Sequence, residues 1–166
     1  MFRVERLTPD HDIDQFASGN SNLDGWLPGA ALTADRAGTA HVRVWLADTN
    51  VVGYFAILPH TMRRAELPPA VGRGAPDVVP GFLLARLALA EQLHGRGHGG
   101  ELLADALLAT LDAIRVGGGR VIVVDAIDDN AHQFYQHFGF RPIAANDDRL
   151  VIKASTTAAS LDLDWP

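Results

Sequence analysis

A glycine-rich segment between an apolar run and an amphipathic pattern constrains the fold of this chain more than any other feature. Residues Gly81–Ala90 form a near-continuous apolar run, interrupted by Arg86, that is typical of a strand buried on both faces. The segment His94–Gly100 then holds four glycines in seven residues. Behind it, apolar residues recur at helical spacing on one stripe, at Leu103, Leu107, Leu111 and Ile114.

A second apolar run, Val121–Ala126, follows this predicted helix. A strand, a helix and a second strand in this order predict a right-handed crossover between two parallel strands. The glycine loop at the start of the helix indicates an anion site, because glycines let the backbone approach and free N–H groups point at the anion. On this loop alone a plain tight turn is the alternative, since the loop matches neither a dinucleotide-binding fingerprint nor a P-loop.

Strands that pair locally flank this unit on both sides. His41–Ala47 and Val51–Leu58 predict one antiparallel hairpin, and Phe140–Ala145 with Arg149–Ala154 predict another. Phe2–Leu7 alternates enough to add a first strand. We therefore predict an α/β fold with a mixed, mostly antiparallel sheet around a central parallel strand pair, flanked by helices.

Capping residues predict two further helices. Asn20 precedes apolar residues at helical spacing over Leu23–Ala31, and Pro28 predicts that this helix is kinked or short. Asp128 precedes a short helix over Asn130–His137.

Two segments show weaker patterns. Pro59–Pro80 holds five of the nine prolines and is predicted to be a long surface loop. The tail Ser155–Pro166 has no clear pattern, although Leu161, Leu163 and Trp165 alternate as in an edge strand or a docking segment.

Composition limits the class of protein. The chain of 166 residues fits one domain, residues 1–166. It has no cysteine, no signal-peptide core and no long apolar run, so we expect a cytoplasmic protein that does not contact a membrane. The net charge of −6 lowers the expectation of a polyanionic partner. His94 and His98 lack a third ligand at suitable spacing, so no metal is expected.

The order of elements resembles the GNAT acetyltransferase family over nearly the whole chain. A strand leads through the glycine loop into a helix, and a later helix carries Phe134-Tyr135 and ends at Phe138-Gly139-Phe140. The resemblance implies the GNAT acyl-CoA acyltransferase fold, in which the two parallel strands splay. It also implies acetyl-CoA as cofactor, with its pantetheine arm paired to the backbone of Leu87, Ala88 and Leu89.

The same resemblance implies the remaining site residues. Tyr135 is the implied catalytic residue. The pyrophosphate loop and a second cofactor segment are implied at His94, Gly95, Arg96, Gly97, His98, Gly99, Gly100, Asn130 and Phe134. We place His94 where the family usually has Gln or Arg, a departure from the family pattern.

Three segments narrow the resemblance. Phe16–Leu27, Val51–Ala56 and Leu84–Ala88 are similar to the GNAT toxins of toxin–antitoxin pairs. This similarity implies acetylation of the α-amino group of aminoacyl-tRNA, which blocks translation, and a ribbon-helix-helix antitoxin as partner. Whether the chain forms a homodimer is left open.

Two other functions are compatible with the sequence. One is a small-molecule or protein-amine N-acetyltransferase that does not act on tRNA, and the other is a cofactor-binding regulatory partner of a DNA-binding antitoxin. Trp26 and Trp45 are expected to pack inside the protein rather than to stack on bases. Binding of a tRNA substrate requires basic residues that contact its phosphates. The candidate phosphate contacts are Arg36, Arg43, Arg63, Arg64, Arg73, Arg86 and Arg96.

Acid strengths limit the role of Tyr135. A free α-amine has a pKa of about 7.7–8.0, so this acceptor needs little help from a base, for which Glu91 acting through water is a minor candidate. A phenol of pKa about 10 is a weaker acid than a thiol of pKa about 8.5, so complete proton transfer is uphill by about 2 kcal/mol. We expect Tyr135 to donate in a concerted step or to hydrogen-bond the sulfur; the alternative is packing beside Phe134 and Phe138 alone.

Overall fold

Seven strands form one sheet in the computed structural model of the chain, which describes residues 1–165. The strands are β1 Phe2–Arg6, β2 His41–Ala47, β3 Asn50–Arg63, β4 Val78–Leu89, β5 Val121–Asp125, β6 Arg141–Ile143 and β7 Asn146–Lys153. Their order in the sheet is β1-β2-β3-β4-β5-β7-β6. Strands β4 and β5 are parallel, whereas β1/β2, β2/β3, β5/β7 and β6/β7 are antiparallel. The predicted mixed sheet around a parallel pair is confirmed.

Six α-helices accompany the sheet in the described residues. They are α1 Ser21–Trp26, α2 Leu32–Ala37, α3 Pro69–Gly72, α4 His98–Gly117, α5 Asp129–His137 and α6 Ala154–Ser160. The predicted stripe of α4 is buried along its length. No helix within residues 1–165 combines the length and the apolar character needed to cross a membrane.

Two compact units divide the chain. The first consists of Met1–Leu58 and Ala85–Ala106, and the second of Pro59–Leu84 and the chain from Leu107 onward. Elements β3, β4 and α4 contribute residues to both units.

The first unit shows how local sequence signals shape its helices. The Asn20 side chain accepts a hydrogen bond from the Leu23 N–H at 3.0 Å and caps α1. Pro28 lies in a π-helical turn, Leu27–Ala31, that separates α1 from α2. The predicted irregularity at Pro28 is therefore confirmed, and its cause is the N–H that proline lacks.

A buried core in the second unit corrects the prediction for Pro59–Pro80. Strand β3 continues to Arg63, and α3 begins at Pro69, a position that proline favours. The core residues are Met62, Leu67, Val71, Ala75, Val79, Val121, Val123, Ile143 and Val151. The prediction of a surface loop over this segment was wrong, because its prolines interrupt the spacing of the apolar residues that pack into this core.

The C-terminal segments also differ from the prediction. Strand β7 begins at Asn146, so the turn is shorter than expected and precedes that residue. The segment after β7 forms α6, in which Ala154, Thr157 and Ala158 are buried. Leu161, Leu163 and Trp165 follow this helix and form no edge strand. Pro166, the last residue of the predicted tail, lies outside the described residues.

The parallel pair has a short register. It joins Gly81 to Val121 and ends at Leu84 with Val124. A Cβ atom at Gly81 would overlap the Val121 carbonyl, so the close approach of the two backbones requires glycine there. The predicted site residues on β4, from Leu87 to Leu89, come after the end of this register.

Candidate active site

The end of β4 is held tightly against β3 inside the first unit. Ala88 is buried, and the Ala90 N–H donates to the Val52 carbonyl at 2.8 Å. A Cβ atom at Gly53 would lie 3.1 Å from the Ala88 carbonyl oxygen. Gly53 therefore permits the close packing that fixes the backbone at Leu87–Leu89. Sequence reasoning missed this role, although an isolated glycine in a strand signals a close backbone approach.

The loop after β4 has the backbone geometry of an anion site. Gly95 and Gly97 have φ of 75° and 83°, which favours glycine. A Cβ atom at either position would meet nothing within 4 Å, so the space beside the loop is open. Helix α4 begins directly afterwards, at His98, and its first N–H groups lack intrahelical acceptors. The loop thus offers backbone donors and a helix N-terminus to a phosphate group.

His94 uses its side chain inside the protein. Its Nε2 atom donates a hydrogen bond to the Leu89 carbonyl oxygen at 2.8 Å, since a carbonyl can only accept. The ring therefore ties the loop to the end of β4. His98 is similarly engaged, with Nδ1 2.7 Å from Glu101 and its ring edge-on to Phe2. The side chains of both histidines are thus engaged within the protein.

The alignment of His94 with the Gln or Arg of the family pattern needs correction. In Arg/Gln-x-x-Gly-x-Gly, counting back from Gly97 and Gly95 places the first position at Gln92, not at His94. Gln92 is exposed in a short 3₁₀ turn, Glu91–Leu93, between β4 and the loop. The spacing alone was enough to find it.

The N-terminal segment of the first unit holds Glu91 in place. The Glu91 N–H donates to the Ala17 carbonyl at 3.0 Å. A Cβ atom at Gly19 would lie 2.7 Å from the Glu91 carboxylate oxygen, so the carboxylate packs against that glycine.

Tyr135 lies in the second unit, on α5. Asp128 caps this helix by accepting from the Ala131 N–H at 2.8 Å. Tyr135 is 8% exposed, and its ring packs edge-on against Phe134 and Phe140, with centroids 5.3 and 5.5 Å away. Burial raises the pKa of Tyr135 above its ordinary value, so the hydroxyl stays protonated at working pH.

The Tyr135 hydroxyl keeps some access to solvent. No protein hydrogen bond to it is found within residues 1–165, and no buried side-chain oxygen or nitrogen in that range lacks a partner. The oxygen is therefore not fully enclosed, and it can donate to an incoming group. On the same helix, Asn130 is exposed and Phe134 is half-buried.

A mixed sheet with a parallel strand pair, and a strand that leads through a glycine loop into a long helix, are typical of coenzyme A-dependent acyltransferases. The chain belongs to the GNAT acetyltransferase family: residues 40–142 match the family described as Acetyltransferase (GNAT) domain. It is an acetyl-CoA-dependent N-acetyltransferase, and the resemblance found in the sequence is confirmed.

Relatives and solved structures are similar to the chain over most of its length. A protein of Mycobacterium tuberculosis named "tRNA-acetylating toxin" is 38% identical over 135 residues, which cover 81% of each chain. AtaT complexed with acetyl-methionyl-tRNAfMet superposes with a TM-score of 0.88 at 25% identity, covering 97% of this chain and 99% of that one. AtaTR bound with AcCoA gives a TM-score of 0.83 at 26% identity, with 96% and 98% covered. The predicted fold and the predicted cofactor, acetyl-CoA, are confirmed.

Proposed function

We propose that this protein transfers the acetyl group of acetyl-CoA to the α-amino group of aminoacyl-tRNA, and that it is the toxin of a toxin–antitoxin pair. The observation that carries the proposal is the 38% identity, over 81% of the chain, to a relative named for acetylating tRNA. The structure of AtaT with acetyl-methionyl-tRNAfMet, similar over 97% of the chain, supports the same substrate class. Since aminoacyl-tRNA is the substrate, the protein acts in the cytoplasm, and a ribbon-helix-helix antitoxin restrains it.

The backbone of the first unit binds the cofactor. Leu87, Ala88 and Leu89, which follow the end of the parallel register, pair with the pantetheine arm. The N–H groups of the loop from Gly95 to Gly100 hold the pyrophosphate, supported by the open space at Gly95 and Gly97. His94 acts by fixing the Leu89 carbonyl, and Asn130 and Phe134 on α5 form the second cofactor segment.

The chemistry requires a neutral amine and a stabilised leaving sulfur. Acetyl-CoA supplies the acetyl group as a thioester: an N–C bond forms, the C–S bond breaks, the amine loses a proton and the sulfur gains one. An α-amine of pKa about 7.7–8.0 is partly neutral at physiological pH, whereas a lysine amine of pKa about 10.4 is not. Backbone N–H groups near Leu89 stabilise the oxygen on which charge develops.

Tyr135 holds a proton for the leaving sulfur. Because burial raises the pKa of Tyr135, full transfer of its proton to a thiolate is even less favourable than for a free phenol. The hydroxyl therefore donates a hydrogen bond, or gives up its proton only as the C–S bond breaks and another proton replaces it.

Several exposed arginines can contact the tRNA despite the net charge of −6. Arg64 is already bonded to Asp77 at 2.7 Å, and Arg43 donates to the Val42 carbonyl at 3.1 Å. The exposed candidates among the predicted contacts are Arg36, Arg63, Arg73 and Arg96, together with the ion-paired Arg64.

The proposal is tested by acetyl transfer from labelled acetyl-CoA to total charged tRNA, followed by RNase release of the labelled product. We expect acetyl-aminoacyl-adenosine from charged tRNA, none from deacylated tRNA, and little from the Tyr135→Phe variant. Label found only on free amines or on lysine side chains would reject the tRNA substrate and favour the small-molecule or protein-amine alternative.

A further inference from the structure

Arg86 lies flat on a tryptophan, on the same strand as the cofactor contacts. Its guanidinium carbon is 4.4 Å from the centroid of the Trp26 ring, which is cation–π geometry. Arg86 precedes Leu89 by three residues on β4, a distance of about 10 Å along an extended strand. Both side chains are half-buried in the first unit.

Buried neighbours fix the orientation of Trp26. Its ring is stacked on Tyr54 with centroids 6.0 Å apart and planes 17° apart. Tyr54 is fully buried, and its hydroxyl donates to the Leu23 carbonyl at 2.6 Å. Phe16 packs edge-on against Tyr54, with ring centroids 5.7 Å apart. The surface on which Arg86 rests is therefore rigid.

The hydrogen-bond donors of Arg86 are unused within the described residues. No hydrogen bond or ion pair to its guanidinium is found in residues 1–165, where its contact is the Trp26 ring. The carboxylate of Asp24, on the same helix as Trp26, is engaged elsewhere: it accepts from the Ser18 N–H at 2.9 Å and the Ser18 hydroxyl at 2.6 Å. A guanidinium offers five N–H groups in a planar fork, which suits a phosphate group.

We propose that Arg86, held on Trp26, binds the phosphodiester of the 3′-terminal nucleotide of the acceptor RNA. This inference rests on the proposed function. In aminoacyl-tRNA only the ester and the ribose separate this phosphate from the α-amine. A contact to the phosphate from the strand that holds the thioester therefore positions the amine for attack. Trp26 acts as a support for the arginine, not as a platform for a base.

The test compares Arg86→Met and Arg86→Lys with wild type in steady-state kinetics over a series of salt concentrations. Loss of a charge-assisted contact in Arg86→Met is expected to raise the KM for aminoacyl-tRNA by about tenfold to a hundredfold. The slope of log affinity for deacylated tRNA against log salt is expected to fall by about 0.7, the value for one phosphate on a single strand. Arg86→Lys is expected to keep the slope and to raise the KM less, because lysine retains the charge but not the fork.

Two measurements separate recognition from a structural role. The KM for acetyl-CoA and the thermal unfolding midpoint are expected to match wild type in both variants. Arg120→Met, which removes the same charge from an exposed arginine just before β5, serves as the control and is expected to leave the KM for aminoacyl-tRNA unchanged.

Three results would overturn the inference. The first is an equal KM for aminoacyl-tRNA in Arg86→Met and Arg120→Met. The second, if Arg86→Met does not fold, is a wild-type KM for aminoacyl-tRNA in Arg86→Lys. The third is a rise in the KM for acetyl-CoA that matches the rise in the KM for aminoacyl-tRNA. If the wild-type protein transfers no acetyl group to aminoacyl-tRNA, the proposed function itself is rejected. That result is obtained with wild type alone, so it is distinct from a failure of the inference about Arg86.

Discussion

The Nε2 atom of His94 donates a hydrogen bond to the carbonyl oxygen of Leu89 at 2.8 Å. This bond joins the last residue of β4 to the glycine loop that precedes α4. The two parts of the proposed cofactor site, the strand for pantetheine and the loop for pyrophosphate, are thus held by one side chain. We propose that His94 affects the cofactor site by fixing the position of the Leu89 backbone.

Removal of the His94 ring is expected to weaken acetyl-CoA binding without abolishing it. A typical hydrogen bond of this kind contributes about 0.5–1.5 kcal/mol, so His94→Ala is expected to lower affinity by roughly threefold to tenfold. Calorimetric titration with acetyl-CoA measures this loss. His98→Ala is the matched control, because its ring contacts Glu101 and Phe2 instead of the Leu89 carbonyl. Equal losses in the two variants would contradict the role of His94.

Gly53→Ala is expected to disturb β4 through its neighbouring strand β3. The added Cβ atom would lie 3.1 Å from the Ala88 carbonyl oxygen and 3.3 Å from Leu102, so its neighbours must give way by a few tenths of an ångström. Overpacking of this kind costs about 1–3 kcal/mol of unfolding free energy, and acetyl-CoA affinity should fall with it. Denaturant unfolding and titration check both effects.

Gly25→Ala is the control for that substitution. Gly25 is within α1, and a Cβ atom there would meet nothing within 4 Å. Alanine should therefore stabilise the helix by about 0.5–1 kcal/mol relative to glycine. A destabilised Gly25→Ala variant would show that the Gly53 result reflects something other than the contact with Ala88.

The sequence predicted those elements in which one pattern dominates. The stripe of α4, the cap at Asn20 and the parallel pair were each visible because periodicity, capping and burial agree. The sequence predicts a loop over Pro59–Pro80 because its prolines interrupt the apolar spacing of Met62, Leu67 and Val71. Only packing in the second unit shows that these side chains share a core.

The candidate site divides in the same way. The glycine loop is a local backbone motif, so its residues could be named from the sequence. The His94–Leu89 hydrogen bond depends on the orientation of a side chain. The Arg86–Trp26 contact also joins two residues that are sixty positions apart in the chain. No spacing rule reaches such a pair, and the sequence alone led to the expectation that Trp26 only packs.

A buried carboxylate in the first unit is expected to make stability depend on acid. Asp35 is a buried residue of α2, and its carboxylate accepts from Arg6 Nη2 at 2.6 Å and from the Val42 N–H at 2.9 Å. Burial opposes its ionisation, but these hydrogen bonds outweigh burial and lower the pKa of Asp35. The ionised Asp35 therefore stabilises the folded protein at any pH above the unfolded-state pKa of about 3.9. This stabilisation is lost as the pH falls through the lower folded-state pKa.

Asp35→Asn is expected to lose about 1–3 kcal/mol of unfolding free energy at neutral pH, because the Arg6 charge and one hydrogen bond lose their partner. Urea unfolding from pH 7 to pH 3 measures the difference between the variant and wild type. The difference should narrow below about pH 4, because there Asp35 takes up a proton in the unfolded chain before it does so in the folded protein. A difference that stays constant over this range would assign the loss to packing alone.

Tyr135→Phe is expected to keep acetyl-CoA affinity near the wild-type value while turnover falls by about a hundredfold to ten-thousandfold, the range for loss of a positioned proton donor. The ring packing against Phe134 and Phe140 does not involve the hydroxyl, so folding should be unaffected. Single-turnover acetyl transfer to charged tRNA gives the rate of the chemical step directly. Unchanged turnover would reduce Tyr135 to a packing residue.

The pH profile of the wild-type enzyme provides an independent check on the same residue. Because burial raises the pKa of Tyr135, its hydroxyl remains a donor beyond the range in which an ordinary tyrosine ionises, near pH 10. The rate should therefore rise with pH as the substrate amine loses its proton, up to about pH 8, and then stay level to about pH 10. A fall in rate between these values, present in wild type and absent in Tyr135→Phe, would mean that the hydroxyl ionises early. In that case burial of Tyr135 among its aromatic neighbours would not raise the pKa of its hydroxyl.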